Sequence, residues 1–167
     1  MPRERPNLRI FTTGGTIDKS YRFEENGLDV GDPFVIETLR IANVQFDYQV
    51  TPLERKDSLE FTDEDRRAIH DAVAAAPERH VLITHGTDTM VATALRLFDI
   101  PDKTIVLTGA MIPGRVAESD AIFNVGFAVS AALMLPPKTY IAMHGVIFDP
   151  NSTRKNREVG RFETIAP

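Results

Sequence analysis

The stretch Val81-Leu82-Ile83-Thr84-His85-Gly86-Thr87-Asp88-Thr89-Met90 decides the fold. Three apolar residues in succession run into a polar turn, and a helical stretch follows from Asp88 to Phe98. A short apolar run without alternation is the pattern of a strand covered on both faces. The unit repeats downstream. Thr104 to Leu107 reads as a strand, Ser119 to Leu135 as a helix with Gly126 inside it, and Tyr140 to Met143 as a further strand. Upstream, Leu8 to Thr12 is an apolar run that stops at Gly14-Gly15, again a buried strand ending in a tight loop.

Between these units the signals change. Asp18 to Gly31 is polar and without period, and reads as a loop. Asp32-Pro33 opens a helix through about Ala42, with Asp32 as N-cap and Pro33 at the first helical position. Val44, Phe46, Tyr48 and Val50 alternate with polar residues as in a half-buried strand. Thr62 caps a helix that runs to about Ala76 with acids in its first turn. Alternating strands and helices predict an α/β protein with a mostly parallel sheet and helices on both faces, a three-layer arrangement of the Rossmann-like or flavodoxin-like kind. Ligands of such sheets sit beyond the carboxyl ends of the strands.

Composition narrows the function. The 167 residues suit one domain, residues 1–167. A net charge of −5 gives no electrostatic support for nucleic acid or an anionic membrane as partner. With no cysteine, disulfide frameworks, cysteine catalysis and thiolate metal sites are excluded. The polar N-terminus is no signal peptide and no apolar segment approaches a membrane span, so a cytoplasmic protein is expected. The four histidines, His70, His80, His85 and His144, lack the HExxH spacing of a zinc site. Phosphate-loop, dinucleotide and G-x-S-x-G signatures are absent as well. No cofactor or metal is expected.

Four predicted strand ends carry polar loops: Thr12-Thr13-Gly14-Gly15-Thr16-Ile17, Thr84-His85-Gly86-Thr87-Asp88-Thr89, Thr108-Gly109-Ala110-Met111 and His144-Gly145. Glycines such as Gly15 and Gly86 let the main chain approach a ligand and aim N–H groups at it. Threonine supplies a hydroxyl that attacks once deprotonated. One such loop by itself reads as a turn and helix cap; two at the ligand edge of one sheet favour a site.

At these residues the chain resembles the L-asparaginase/glutaminase family. Thr13-Gly14-Gly15-Thr16-Ile17 is similar to the family's first signature and Ile83-Thr84-His85-Gly86-Thr87-Asp88-Thr89-Met90 to its second. Thr108-Gly109-Ala110-Met111 with Pro113, and Phe123-Asn124, match segments that follow. The resemblance runs from about Leu8 to Phe162 and implies an amidohydrolase that converts L-asparagine to L-aspartate and ammonia. It assigns Thr16 as nucleophile, Tyr21 as its orienting tyrosine, Thr87 as second catalytic threonine and oxyanion donor, and Lys155 as catalytic lysine. It assigns Asp88 to the substrate α-ammonium, Ser58 to the α-carboxylate, and the Ala110 carbonyl to the amide being cleaved; Gly15 and Gly86 line the substrate. Taken alone, Lys155 in Arg154-Lys155-Asn156-Arg157 reads as part of a solvated face, Tyr21 as a packed loop residue, Ser58 as a turn former and His85 as a locally bonded imidazole.

The chain also departs from the family pattern. Family members carry a second, C-terminal α/β domain, and an acid from the second domain of a neighbouring protomer completes their amino-acid site. Leu59 stands where many secreted members have a glutamine. The loop between Thr16 and Asp32 is shorter than their lid. These departures predict weak substrate binding and little activity on glutamine. Alternatives are hydrolysis of another small amide and a non-catalytic module that binds an acidic amino acid. The apolar helix Ala121 to Leu135 reads mostly as core and in part as a subunit interface, and at least a homodimer is expected, a homodimer or homotetramer, as the resemblance also implies.

Overall fold

In the computed structural model, residues 7–22 and 27–165 are described. In chain order the elements are β1 (Asn7–Gly14), β2 (Lys19–Arg22), β3 (Gly27–Val30), α1 (Phe34–Ile41), β4 (Asp47–Lys56), α2 (Asp63–Ala75) and β5 (His80–Thr84). Then come α3 (Met90–Leu95), β6 (Thr104–Thr108), α4 (Ala121–Met134), β7 (Lys138–Met143), β8 (Val146–Phe148), β9 (Thr153–Asn156) and β10 (Arg161–Thr164).

Six strands form the central sheet in the order β4-β1-β5-β6-β7-β8. The first five run parallel, and β8 closes the edge antiparallel to β7. Successive side chains on a strand face opposite ways, so a sheet covered on both sides needs apolar residues at every position. That condition is met. Leu82, Val106 and Ala142 join the cluster beneath α1 and α4, with Val35, Leu39, Val125 and Ala128. Their neighbours Val81, Ile83, Ile105, Leu107, Ile141 and Met143 join the opposite cluster, with Ile69 and Val73 of α2 and Met90 and Ala94 of α3. The result is the three-layer α/β arrangement expected from the sequence.

Register places the polar loops side by side. Thr12 pairs with Thr84, and Thr84 with Thr108, so three strands end in one row. The loops that carry Thr16, Thr87 and Ala110 therefore leave the sheet at the same level.

Several boundaries differ from expectation. The segment Asp18 to Gly31, read as a loop, contains the end of a short 3-10 turn (Thr16–Asp18) and the antiparallel hairpin β2–β3, with Tyr21 opposite Leu28. Each strand has four residues, too few for a period to stand out. Asp32 is not the cap of α1. Its carboxylate bonds Arg55 at 2.8 Å, and the Phe34 N–H at the helix start is taken by Asp18 Oδ1 at 2.8 Å. The helix predicted from Asp88 to Phe98 is confined to α3, because residues 87–89 form a turn. His144-Gly145 is a hairpin turn between β7 and β8: φ is +53° and +80°, as a two-residue turn with both central residues at positive φ demands. The hairpin β9–β10 was not foreseen, because its Arg154-Lys155-Asn156 core carries no apolar alternation.

The Thr62 cap is as expected. Its hydroxyl accepts from the Asp65 N–H at 3.3 Å, and Asp65 Oδ2 accepts from the Thr62 N–H at 2.7 Å, a reciprocal capping box. Thr62→Ala removes one half of it and should lower stability by about 1 kcal/mol, read as a reduced urea midpoint with an unchanged slope.

Candidate active site

The site is built from loops that touch through glycine. Gly15 has φ +81°, and a Cβ placed on it would lie 2.5 Å from both Cα and N of Gly86. No other residue type allows these two main chains to approach so closely. A Cβ on Gly86 would in turn meet Ser58 Oγ at 2.5 Å. Thr89 Oγ1 donates to the Ser58 carbonyl at 2.8 Å, which ties the loop after β4 to the loop after β5. On the other side, a Cβ on Gly109 would meet the Thr87 side chain at 3.4 Å. Gly15, Ser58, Gly86, Thr87 and the Gly109-Ala110 segment thus converge at the carboxyl edge of the sheet. Thr16, partly exposed, follows Gly15 and opens the 3-10 turn.

Lys155 enters this edge from β9. Alternation along the strand separates the basic run: Arg154 points outward to Glu163 at 3.2 Å, and Lys155 inward with 15% of its side chain exposed. Its Nζ donates to Thr87 Oγ1 at 2.7 Å and to Asp88 Oδ1 at 3.0 Å. Phe162, paired opposite Lys155, is buried against Phe148 and anchors the hairpin in the core. Asp88 Oδ1 also meets Arg157 Nε at 3.1 Å. Ser58 is 1% exposed, and its hydroxyl has no hydrogen-bond partner among the described residues. An orphaned buried hydroxyl is costly and is suited to a ligand that completes it. Ala110 is buried just after β6, whereas Tyr21 lies on β2 with 51% of its surface exposed.

Three further side chains hold the loops. His85 is fully buried; burial, and to a smaller degree Arg66, pushes its imidazole down to about 4 against the raising effect of its bond to Gly86. It is neutral at physiological pH. Nδ1 lies 2.8 Å from the Gly86 carbonyl, which only accepts, so Nδ1 carries the proton and Nε2 accepts from the Thr93 hydroxyl at 2.8 Å. The imidazole thereby fixes the Gly86 peptide and is no base. Asp120 accepts from the N–H groups of Met111 and Ile112, from Asn124 and from His144. Burial opposes its ionisation, but these donors outweigh burial and hold its carboxyl below the usual range. Asn124 bonds both the Gly109 carbonyl and the His144 N–H, joining the ends of β6 and β7.

Asp18, two residues after Thr16, escaped the sequence reading. It is 1% exposed, and burial pushes its carboxyl up to about 7 against the lowering effect of the Phe34 N–H and the charges of Arg115 and Arg55. Nothing in the local sequence marks it, because every group that sets its charge is distant along the chain.

These features define a three-layer α/β protein with a hydroxyl–lysine–carboxylate array at the carboxyl edge of its sheet. The chain belongs to the asparaginase family, matching the description "Asparaginase, N-terminal" over residues 7–165. It is 32% identical over 145 residues to L-asparaginase 2 of Bacillus subtilis, covering 78% of this chain and 38% of that one. It is 29% identical over 137 residues to the glutaminase-asparaginase of Pseudomonas fluorescens biotype A, covering 75% of this chain and 38% of that one. Among solved structures, the thermostable L-asparaginase from Thermococcus kodakarensis superposes with a TM-score of 0.84 at 28% identity, over 95% of this chain and 51% of that one. The chain thus spans little more than a third of these two sequence relatives and about half of the solved one. Among the described residues no helix is long and apolar enough to cross a membrane.

The raised pKa of Asp18 fixes the sign of a pH effect. In the unfolded chain the carboxyl ionises near its ordinary 3.8, and in the fold near 7. The folded state therefore binds the extra proton between those values, and stability falls as pH rises through that window. Asp18→Asn keeps an acceptor for Phe34 and removes the buried charge. It should raise stability by about 1–3 kcal/mol at pH 8, with the gain shrinking towards pH 4. Thermal melts at both pH values measure it; a loss at pH 8 would contradict burial as the cause.

Proposed function

We propose that this chain, as a single asparaginase-type catalytic domain, is an amidohydrolase that converts the side-chain amide of L-asparagine to L-aspartate and ammonia, with Thr16 as nucleophile. The observation that carries the reading is the 2.7 Å bond between Lys155 Nζ and Thr87 Oγ1, at a sheet edge shared with Asp88 and the orphaned Ser58 hydroxyl. A binding module has little use for a lysine buried against a hydroxyl, whereas acyl transfer requires a hydroxyl with an ionisable neighbour.

In the proposed reaction the Thr16 oxygen attacks the amide carbon, and its proton ends on the departing ammonia. Main-chain N–H groups of the Gly86–Thr87 loop receive the oxyanion, each preorganised donor contributing about 3–4 kcal/mol. Thr87 and Lys155 then serve the water that cleaves the Thr16 ester, returning the threonine hydroxyl and releasing the acid. The direction of transfer along the Lys155–Thr87 bond depends on whether the amine holds its third proton, because an ammonium only donates. Ser58 takes the substrate carboxylate, and Asp88 faces its α-carbon end. The Ala110 carbonyl accepts from the amide N–H. Tyr21 is assigned to orienting Thr16 by family resemblance alone.

Ammonia release from L-asparagine, L-glutamine and a panel of small amides tests the reading. Thr16→Ala, Thr87→Ala and Lys155→Met should each lower kcat about a hundredfold or more, with L-aspartate binding retained. Activity unchanged in Thr16→Ala would remove Thr16 as nucleophile. No release from any amide, with aspartate still bound, would support a binding module.

The partner surface belongs to the same proposal. On α4, Ile122 and Phe123 are about 60% exposed, and Phe123 stacks on Phe127 at 6.3 Å. Beside them lies an apolar groove of about 430 Å³ lined by Phe34, Ile41, Val125 and Val129. A homodimer through α4 would cover this face. Light scattering should give at least twice 18.6 kDa, and Phe123→Asp should shift the species towards monomer.

A further inference from the structure

The turn that carries Thr16 is held from behind. Thr16, Ile17 and Asp18 form the 3-10 turn that begins at Gly15, and the Asp18 N–H donates to the Gly15 carbonyl at 3.2 Å. Three other segments meet the two residues after Thr16. The Gly31 N–H, just after β3, donates to the Asp18 carbonyl at 2.8 Å. The Gly114 N–H, on the loop after β6, donates to the Ile17 carbonyl at 3.1 Å. The third segment is α1, whose first residue, Phe34, donates its N–H to Asp18 Oδ1 at 2.8 Å. Ile17 and Phe34 are buried in one apolar cluster, and a Cβ on Gly114 would lie 2.3 Å from the Phe34 ring.

A helix cap alone does not account for this arrangement. Caps are ordinarily supplied by the residue just before the helix. Here Pro33 has no side-chain acceptor, and the Asp32 carboxylate is engaged by Arg55. Asp18 reaches α1 from sixteen residues away, so its bond fixes two segments to each other. Burial pushes its carboxyl up to about 7; the Phe34 N–H, then Arg115 and Arg55, lower it, and Asp32 raises it. Both cations are engaged elsewhere: Arg55 pairs with Asp32 at 2.8 Å, and Arg115 lies over the Phe34 ring and donates to the Asp32 carbonyl at 3.1 Å. Below that pH, Oδ1 is a neutral acceptor, the state that asparagine reproduces. We propose that Asp18 is a positioning residue for Thr16. By joining the turn to α1 it holds the Thr16 hydroxyl in line with the substrate amide. This rests on the reading of Thr16 as nucleophile. The groups assigned to the ligand, Ser58, Asp88 and the Ala110 carbonyl, lie on other loops, so loosening the turn costs turnover and spares binding. A misplacement of about 1 Å at a reacting group costs about a hundredfold in rate.

The full chain is compared as wild type, Asp18→Asn and Asp18→Ala at pH 6, below the value near 7 at which the wild-type carboxyl ionises. Asp18→Ala should lower kcat for ammonia release from L-asparagine about tenfold or more, with KM and L-aspartate affinity held within about twofold. Asp18→Asn should bring kcat back to within about threefold of wild type. By NMR, Asp18→Ala should speed exchange of the Gly31, Phe34 and Gly114 amides and shift the Thr16 methyl signal, and Asp18→Asn should do neither. If alanine prevents folding, Asp18→Ser, too short to reach the Phe34 N–H, takes its place. Unchanged kcat or an unmoved Thr16 signal in the alanine variant, a loss that falls on KM or aspartate binding instead, or an asparagine variant as impaired as alanine would each overturn the proposal. No ammonia release from any of the three, with the exchange and the Thr16 signal still moved by alanine and restored by asparagine, would remove the hydrolase reading while leaving Asp18 as the residue that places Thr16.

Discussion

The close approach of two main chains, Gly15 against Gly86, is the constraint on which the site depends. A parallel sheet aligns its strand ends but does not bring their loops into contact, because side chains normally keep neighbouring loops apart. Here the side chains are missing where the loops meet, and the gap is closed by backbone. Ser58 then packs on Gly86, Thr89 holds the Ser58 carbonyl, and Gly109 abuts Thr87. Each loop is seated on the next, so the hydroxyls and N–H groups are positioned by rigid elements. Preorganisation of this kind is what a site for a developing oxyanion requires.

Charge around the loops is set by the balance of burial and hydrogen-bond donors rather than by residue type. Asp18 and Asp120 are both aspartates at loop–helix junctions. One is held near neutrality at about 7 by burial, and the other is kept ionised by main-chain donors and His144. His85 stays neutral in the core and serves as a brace for the Gly86 peptide. At the edge, Asp88 lies between Lys155 and Arg157, and Asp57, bonded to Lys19, also feels the charge of Lys155.

Much of the scaffold was legible because its signals are local. The apolar runs at Val81, Thr104 and Tyr140 needed only neighbours in sequence to be read as strands, and the Thr62 capping box spans four residues. The loop glycines and threonines stood out as a set, and family resemblance added roles to them. The misreadings share one cause. Asp32-Pro33 carried a local cap signature, yet Asp18, on the other side of the β2–β3 hairpin, won the Phe34 N–H. Asp88 carried a local helix-start signature, yet its carboxylate is held by Lys155 and Arg157, far along the chain. The strands of the two small hairpins have four residues each, too few for an apolar alternation to stand out.

The sequence by itself determined the class of the fold, since a covered parallel sheet demands continuous apolar strands, and it named the residue types at the strand ends. Only the tertiary structure decided which of those residues meet. Hydrogen bonds and ion pairs act over about 3 Å, and spacing along the chain does not specify distances of that kind between residues 16, 58, 87 and 155. The pairing of Lys155 with Thr87, the orphaned Ser58 hydroxyl, and the second cation on Asp88 exist because packing of the two apolar clusters fixes the loops, and with them the side chains, in one place.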